Sequence, residues 1–381
     1  MSGIGDTLLH TAVRVAARDQ GTSPKVSVLM AVCNGARFLR EAVDSVLGQT
    51  LADLELIVVD DASTDDTPAI LDSYGDPRLV RLRKERNVGP YRARNWALPR
   101  CRGQYIAPMD ADDVSMPTRL EIQARYLDEH PEVVLVSANM EVTDEAGRHL
   151  DQTDSAGDPE AIAWELLFYN RGAGHGQVMF RRDTLLKIGG YPVNHRYSQD
   201  YALWLSMLEQ GRVAVLPDVL LKYRRHGSSV GVRDKEEQEA YAVAISHAAL
   251  AKVLGAPLPE AEVRRLREFW RGTSLMQGDV GPISDTLRRV RKAFLGGRAP
   301  SDGRRARSRA VRRATAKRFL AWSQTCGALS QPGMKLACLW EAFGWAAGPT
   351  VRHCLASGLK APLRLLGGMM RPTAEERSAE Q

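Results

Sequence analysis

The sequence predicts an α/β fold: a mixed, mostly parallel sheet flanked by helices, followed by a mostly helical C-terminal region. Three observations predict it. Short apolar runs rich in β-branched residues alternate with segments of helical periodicity between residues 26 and 129. Polar residues gather just past the ends of those runs, and after Gly231 the chain is helix-forming and poor in strand signals. Alternation of this kind implies parallel strands covered by crossover helices on both faces.

The elements follow in order. Val26 to Val32 (VSVLMAV), bounded by Pro24 and by Asn34-Gly35, reads as a buried strand ending in a turn. Phe38, Leu39, Ala42, Val43, Val46 and Leu47 recur at helical spacing and predict an amphipathic helix over 36–48. Leu54 to Val59 is a second strand, Asp60 to Asp66 a polar loop, and Asp65 to Leu71 a helix with acids near its start. The pattern continues with strand Leu79 to Leu82, helix Tyr91 to Leu98, strand Tyr105 to Met109 and helix Pro117 to Glu129. From Val133 the rhythm changes to strand Val133 to Ser137, a turn at Glu145-Ala146-Gly147, a helix near Pro159 to Phe168 and strand Gln177 to Arg181. Asp200 to Gln210 is a strongly apolar helix in which Trp204 and Met207 read as core, and strands Val213 to Leu216 and Leu220 to Tyr223 follow. This half completes one sheet. The expected organisation is a leader over 1–23, an α/β domain over 24–230 and a helical region over 231–381.

Composition narrows the function classes. The chain has 381 residues, 44% hydrophobic and 26% charged, with a net charge of +6, which excludes a disulfide-stapled scaffold, a collagenous chain and global disorder. Five cysteines (Cys33, Cys101, Cys326, Cys338 and Cys354) form no CxxC pair and point to a reducing, cytoplasmic compartment. Residues 1–23 lack the apolar core of a signal peptide, and the best spanning candidate, Met334 to Val351, is broken by Lys335, Glu341 and Gly348-Pro349. Residues 291–318 hold eleven Lys/Arg against the single acid Asp302, leaving a mildly acidic body with one basic segment. Helix-prone apolar stretches follow at Phe319 to Leu329, Met334 to Trp345 and Leu355 to Leu366. Together, 291–366 suits an anionic membrane surface, at the inner face of a cell membrane. A helical partner domain is the second reading, and nucleic acid ranks last.

In open α/β sheets ligands bind beyond the carboxyl ends of strands, which singles out Asn34, Asp60, Asp61, Asn87, Asp110, Asp112 and Asp113. Asp110-Ala111-Asp112-Asp113 after an apolar strand makes a hard-oxygen turn suited to Mg²⁺ or Mn²⁺ and to substrate phosphates. The plainer alternative is a solvated acidic turn capping the next helix.

The strings PKVSVLMAVCNG, SVLGQT, LELIVVDDASTDDT, NVGPYRARNWAL, MDADDVSMPTRLEIQ, GGYP, QDYALWL and YRRHGSSV occur in this order. The sequence thereby resembles the family 2 glycosyltransferases of GT-A fold, over about residues 24–230. The resemblance implies a nucleotide-sugar donor, a UDP-sugar first, and an inverting, metal-dependent transfer to the hydroxyl of a glycan or glycolipid, as in bacterial polysaccharide or glycolipid synthesis. It implies that Asp61, with Asp60, contacts the nucleoside, and that Asn34, Asn87, Gly89, Arg92 and Arg94 line the donor. Arginine there suits a diphosphate, or it orients the loop. It implies that Asp110 and Asp112 hold Mn²⁺ or Mg²⁺, supported by Asp113, with His226 completing the ligand set. Asp200, at a helix N-terminus, matches the family's catalytic base. Beside it Gln199, and His175 in a glycine-rich turn over 172–176, would face the acceptor. Ala31 and Cys33 stand where family members often carry a threonine and an aromatic residue against the base, a departure that leaves the base contact open. Two other classes compete: a non-catalytic nucleotide-sugar-binding or assembly protein on the same fold, and a nucleotidyltransferase, disfavoured because no glycine- and lysine-rich phosphate loop is present.

Overall fold

A computed structural model describes residues 23–171, 174–227, 234–297, 303–328 and 331–347. Residues 1–22 of the leader, Gly172-Ala173, Ser228-Ser229, Asp302, Cys354 and the stretch Leu355 to Leu366 lie outside the described residues. The chain divides into two compact units, Met1–Ile162 with Asn170–Ala242 and Ala163–Tyr169 with Val243–Gln381. The division falls inside a helix, past the Gly231 composition shift, and gives the short stretch 163–169 to the second unit.

The first unit is built on one mixed sheet. Its strands are β1 (Val26–Val32), β2 (Leu54–Asp60), β3 (Leu79–Arg83), β4 (Tyr105–Asp110), β5 (Val114–Ser115), β6 (Val133–Thr143), β7 (His149–Gln152), β8 (Met179–Arg181) and β9 (Arg212–Arg224). They lie in the order β3-β2-β1-β4-β8-β6-β9-β5, with β7 on β6. β1, β2, β3 and β4 pair in parallel, as do β6 and β9, while β8 runs antiparallel between β4 and β6. The parallel strands are apolar and buried as expected: every residue of β2 is buried, Glu55 included. That carboxylate tolerates burial because Ser27 Oγ, the Arg102 amide and the Arg102 guanidinium all donate to it, at 2.7 to 3.1 Å.

Helices α1 (Ala36–Leu47), α2 (Thr67–Asp72), α3 (Pro90–Ala97) and α4 (Arg119–Glu129) connect these strands. α2 starts two residues later than its acids suggested, because Asp65 is held in the turn before it, where its carboxylate accepts the Thr67 and Ala36 amides, each at 3.0 Å. α5 (Pro159–Glu165), α6 (Arg182–Lys187) and α7 (Gln199–Leu208) follow, and Trp204 and Met207 of α7 are fully buried.

The sequence suggested two strands around Pro217, and the structure has one. β9 runs unbroken, with Val215 opposite Ser137 and Val219 opposite Asn139, so Leu216-Pro217-Asp218 bulge against one residue of β6. Asn139 Nδ2 donates to the Pro217 carbonyl at 3.0 Å and so satisfies an acceptor within the bulge. β6 accordingly extends to Thr143, well past the expected end.

Gly190 shows how tightly the loop before α7 is set. Its φ is +83°, and a Cβ there would lie 2.5 Å from Asn95 Oδ1, the atom that accepts the Tyr191 amide at 2.8 Å. Gly190→Ala should cost about 2 kcal/mol, a melting temperature lower by roughly 4–8 °C, which a thermal melt checks; an unchanged melt would show that the turn relaxes freely.

The second unit is helical: the C-terminal part of α8 (Lys235–Leu254), then α9 (Glu260–Arg271), α10 (Val280–Gly296), α11 (Arg304–Ala328) and α12 (Pro332–Trp345). Leu266, Phe269, Leu287, Val290, Val311, Phe319 and Trp345 form its interior. Three of its indoles are satisfied inside the unit, Trp164 by Thr315 Oγ1 at 3.1 Å, Trp322 by the Phe269 carbonyl at 2.9 Å and Trp345 by Ser284 Oγ at 2.9 Å, while the Trp270 indole N–H is buried with no hydrogen bond among the described residues. Trp322 and Trp345, expected at a membrane interface, are therefore core residues. Among the described residues no helix is long and apolar enough to cross a membrane.

Candidate active site

The carboxyl ends of β1, β2 and β4 meet in register, with Val32 beside Asp60 and Ala31 beside Asp110. Three non-glycine residues have positive φ among the described residues: Asn34 (54°), Ala62 (63°) and Ser198 (58°). They are the candidate Asn34 itself, the neighbour of Asp61 and the residue before Gln199-Asp200. Strain of this kind gathers where side chains are held for a task.

At the β1 and β2 ends the polar residues organise one another. Asp61 is buried, and its carboxylate accepts the amides of Val88 and Gly89 at 2.8 to 3.1 Å. Asp61 thus holds the Asn87–Gly89 loop, whose Gly89 has φ +85° and lets Pro90 open α3. Asp60 accepts the Ser63 amide at 2.8 Å and pairs with Arg83 at 3.3 Å. Asn34 Oδ1 accepts the Thr64 amide at 2.8 Å. Cys33 is exposed rather than a buried thiol, with Asn87 Nδ2 donating to its sulfur at 3.1 Å.

The acidic turn after β4 is the electrostatic centre. Arg94 reaches it from α3, buried, with Nη2 2.6 Å from Asp110 Oδ1, whereas Arg92 is exposed and donates to the Val193 carbonyl at 3.2 Å. Burial opposes ionisation of Asp110, but the His175 imidazole and the Arg94 guanidinium outweigh it and hold the carboxyl below the usual carboxylate range. His175 lies not in an open turn but in the interior, in a single 3₁₀ turn over His175–Gln177, with Nδ1 3.5 Å from Asp110 Oδ1 and Nε2 3.3 Å from the Tyr191 hydroxyl. Burial and Arg94 lower its pKa to about 4, so it is neutral at pH 7 and Arg94 is the lasting cation.

Asp112 and Asp113 sit in the opposite condition. Burial, then the charges of its neighbours on the turn, raises each carboxyl above the usual range. Asp113 is 1% exposed; its Oδ1 accepts the Arg224 amide at 2.9 Å and its Oδ2 has no hydrogen bond among the described residues. Arg224 also donates to the Asp112 carbonyl at 3.0 Å and pairs with Glu41 at 2.5 Å, which ties β9 to the turn. His226, next along, places Nε2 2.9 Å from Asp112 Oδ2. Beneath the turn, fully buried Arg119 donates to the Pro108 and Val178 carbonyls at 3.0 and 3.1 Å, a cation set under three acids. An open cleft of about 550 Å³ extends past His226, lined by Arg37, Glu145 and Arg225.

Asp200 opens α7. Asn170 Nδ2 donates to its Oδ2 at 2.9 Å. Burial raises its pKa to about 6, opposed by the Tyr201 amide and Asn170. Gln199 is turned away into the loop, donating to the His195 and Arg196 carbonyls at 2.6 and 3.0 Å. Tyr91 joins the two halves: its ring meets His175 edge-on at 5.4 Å and the Arg94 guanidinium at 5.7 Å, and burial followed by the Asp200 charge pushes its phenol up.

Sequence reasoning missed Tyr91, Asn170, Arg119 and Tyr191. Tyr91, Arg119 and Tyr191 lie in strings already singled out, NVGPYRARNWAL, MDADDVSMPTRLEIQ and GGYP, whereas Asn170 carried no signal. Among the described residues no group of three or more His, Cys, Asp and Glu side chains is gathered as a metal site. The donor types nevertheless fit a divalent cation. Asp112 and His226 already touch, Asp113 keeps a buried oxygen without a hydrogen bond, and the turn carries mutual repulsion that a cation would relieve.

Residues 27–189 match the profile of Glycosyl transferase family 2. EpsE of Bacillus subtilis, named as a glycosyltransferase, is 35% identical over 210 residues, covering 53% of this chain and 74% of the relative. The amylovoran biosynthesis glycosyltransferase AmsE of Erwinia amylovora is 33% identical over 212 residues, covering 54% of this chain and 79% of the relative. The crystal structure of a fragment of S. aureus TarS in complex with UDP-GlcNAc superposes with TM-score 0.50 at 18% identity, over 82% of this chain and 90% of that one. At that identity the likeness speaks for the fold, a GT-A α/β sheet with a helical region after it.

Proposed function

The chain belongs to glycosyl transferase family 2, and from that premise we propose that it moves a sugar from a nucleotide-sugar donor to an acceptor hydroxyl with inversion at the anomeric carbon. The observation that carries the reading is the pairing of two unlike carboxylate environments on one sheet end. Asp110 is kept ionised beside Arg94, while Asp200 is tuned to about 6 at a helix N-terminus.

In this proposal the donor lies over the ends of β1, β2 and β4. Asp61 acts by fixing the Asn87–Gly89 loop as one wall of the nucleoside site, with Asp60, Asn34, Ala31 and Cys33 beside it. Asp110, Arg94 and exposed Arg92 face the ribose and diphosphate. Asp112 and His226 would hold Mn²⁺ or Mg²⁺, which would supply positive charge to offset the negative charge developing on the leaving group. Asp200 accepts the proton of the acceptor hydroxyl as that oxygen bonds to the anomeric carbon and the bond to the diphosphate oxygen breaks. One displacement of this kind inverts the centre. His175, buried against Asp110, is a positioning residue, and Tyr91 presents its ring between donor and base.

AmsE is named for polysaccharide biosynthesis and the TarS fragment was crystallised with UDP-GlcNAc. We therefore place a UDP-sugar first among donors and a growing glycan or glycolipid as the acceptor. A cytoplasmic setting accompanies the reading, since Cys33, Cys101, Cys326 and Cys338 are free thiols. The division of labour follows the predicted domains, a transferase domain over 24–230 and a helical region over 231–381.

A panel of UDP-, GDP- and dTDP-sugars assayed for nucleoside diphosphate release with Mn²⁺ or Mg²⁺ tests it. One donor should be hydrolysed slowly, and chelator should stop the release. Donor binding with no release in the presence of any acceptor would instead favour the non-catalytic reading. Pyrophosphate in place of diphosphate would mark a nucleotidyltransferase.

The pH profile supplies a second check. A base must be ionised to accept a proton, and Asp200 ionises near 6. Transfer should be flat above about pH 7 and fall roughly tenfold per unit well below about pH 6, read as kcat/KM with a stable donor. A profile flat down to pH 5 would separate Asp200 from the proton transfer.

A further inference from the structure

Helix α11 carries eight Arg and Lys and no acid. The second unit turns two of these inward: Arg312 Nε donates to the Trp345 carbonyl and Arg318 Nε to the Phe269 carbonyl, each at 2.6 Å. Arg305, Arg309, Arg313 and Lys317 are exposed and recur every fourth residue, a stripe about 18 Å long on one side of the helix. Arg309, Arg313 and Lys317 have no carboxylate partner among the described residues.

The next helix presents the complementary chemistry. α12 packs antiparallel to α11, since Arg312 near the start of one meets Trp345 at the end of the other and the Gln331 amide donates to the Cys326 carbonyl at 2.9 Å. Met334, Cys338, Leu339, Ala342 and Trp345 face inward. Leu336 and Trp340, one turn apart, are 54% and 52% exposed. Gly333 and Gly344 continue that outward row and add no charge to it. Trp340 is the exposed member of seven tryptophans, the others being buried or half-buried.

We propose that α11 and α12 form a docking surface for an anionic lipid bilayer, Leu336 and Trp340 entering the headgroup region and the α11 stripe lying on lipid phosphates. The inference goes beyond the transfer reaction and does not depend on it. Two apolar side chains are far short of the roughly 800 Å² per partner that a stable protein interface needs. They suffice at a bilayer, where a few inserted side chains act together with basic residues drawn to anionic lipid. A tryptophan at the rim of the apolar row suits that polar–apolar boundary. A regular row of charges also matches a plane of headgroups, and no aromatic residue interleaves it as a single-stranded nucleic acid site would require.

The test is co-sedimentation of the full chain with vesicles of phosphatidylcholine containing 30% phosphatidylglycerol, and with phosphatidylcholine alone. The chain should pellet with the anionic vesicles only and be released by high salt. Arg309→Glu/Arg313→Glu/Lys317→Glu should lower the partition coefficient about a hundredfold. Leu336→Gln/Trp340→Gln should weaken it several-fold and make the remainder more salt-sensitive. All five positions are exposed, and a native melting temperature for both variants shows that they fold. Native partition by either variant, equal binding to neutral vesicles, or no retention by anionic vesicles overturns the proposal. Preferential capture by an RNA duplex added in competition overturns it in favour of nucleic acid.

Discussion

Asp200→Asn should reduce sugar transfer by a factor of about 10³ or more while leaving donor affinity within twofold of the native value. The substitution keeps the shape of the side chain and removes its basicity. Asn170 Nδ2, 2.9 Å from Asp200 Oδ2, can donate equally well to an amide oxygen, and the start of α7 keeps its acceptor for the Tyr201 amide. The helix and the loop around Ser198 should therefore stay as they are. What is lost is the group that, in the proposed reaction, takes the hydroxyl proton as the new bond forms. The proposal places donor binding at the β1, β2 and β4 ends, where Asp61 and Asp110 are held by contacts that do not include Asp200. Isothermal titration of the donor product and initial rates on the same preparation separate the two effects. Turnover near native would remove Asp200 from the mechanism, and a parallel loss of nucleotide affinity would make it a donor ligand instead.

Much of this site could be read in the sequence because its main charges lie at strand ends, and strand ends follow from local pattern. The run Tyr105–Asp110 is apolar until its last residue, so Asp110, Asp112 and Asp113 had to emerge where the neighbouring parallel strands also end. Partners supplied from far along the chain were not legible. Arg119 is an ordinary basic residue in a helical segment until folding puts its guanidinium under the turn, against the carbonyls of Pro108 and Val178. Asn170 meets Asp200 across 30 residues of sequence, and no local pattern encodes that meeting. The unbroken β9 was hidden for a related reason, since Pro217 reads as a strand breaker, and folding places it in a bulge whose carbonyl is satisfied by Asn139 on another strand. Likewise, the tryptophans of the basic region look interfacial by composition, yet Trp322 and Trp345 find their partners inside.

Asp112→Ala should abolish the Mn²⁺-dependent part of nucleoside diphosphate binding, weakening affinity about a hundredfold in Mn²⁺ and little in chelator. The turn's electrostatics make this a clean experiment. Burial and the neighbouring Asp110 raise the Asp112 carboxyl, so its ionised form works against the folded state, and removing it relieves repulsion on Asp113 as well. The melting temperature of the variant should hold or rise, which separates lost ligation from unfolding. His226 then loses the carboxylate 2.9 Å from Nε2, and His226→Ala should reproduce a smaller part of the defect through the same partnership. The Arg94–Asp110 pair is untouched, so binding without metal should persist at its native level. Nucleotide titrations in Mn²⁺ that match the native protein would contradict the assignment and leave Asp112 as a structural member of the turn. Loss of equal size with and without metal would place it on the nucleotide directly.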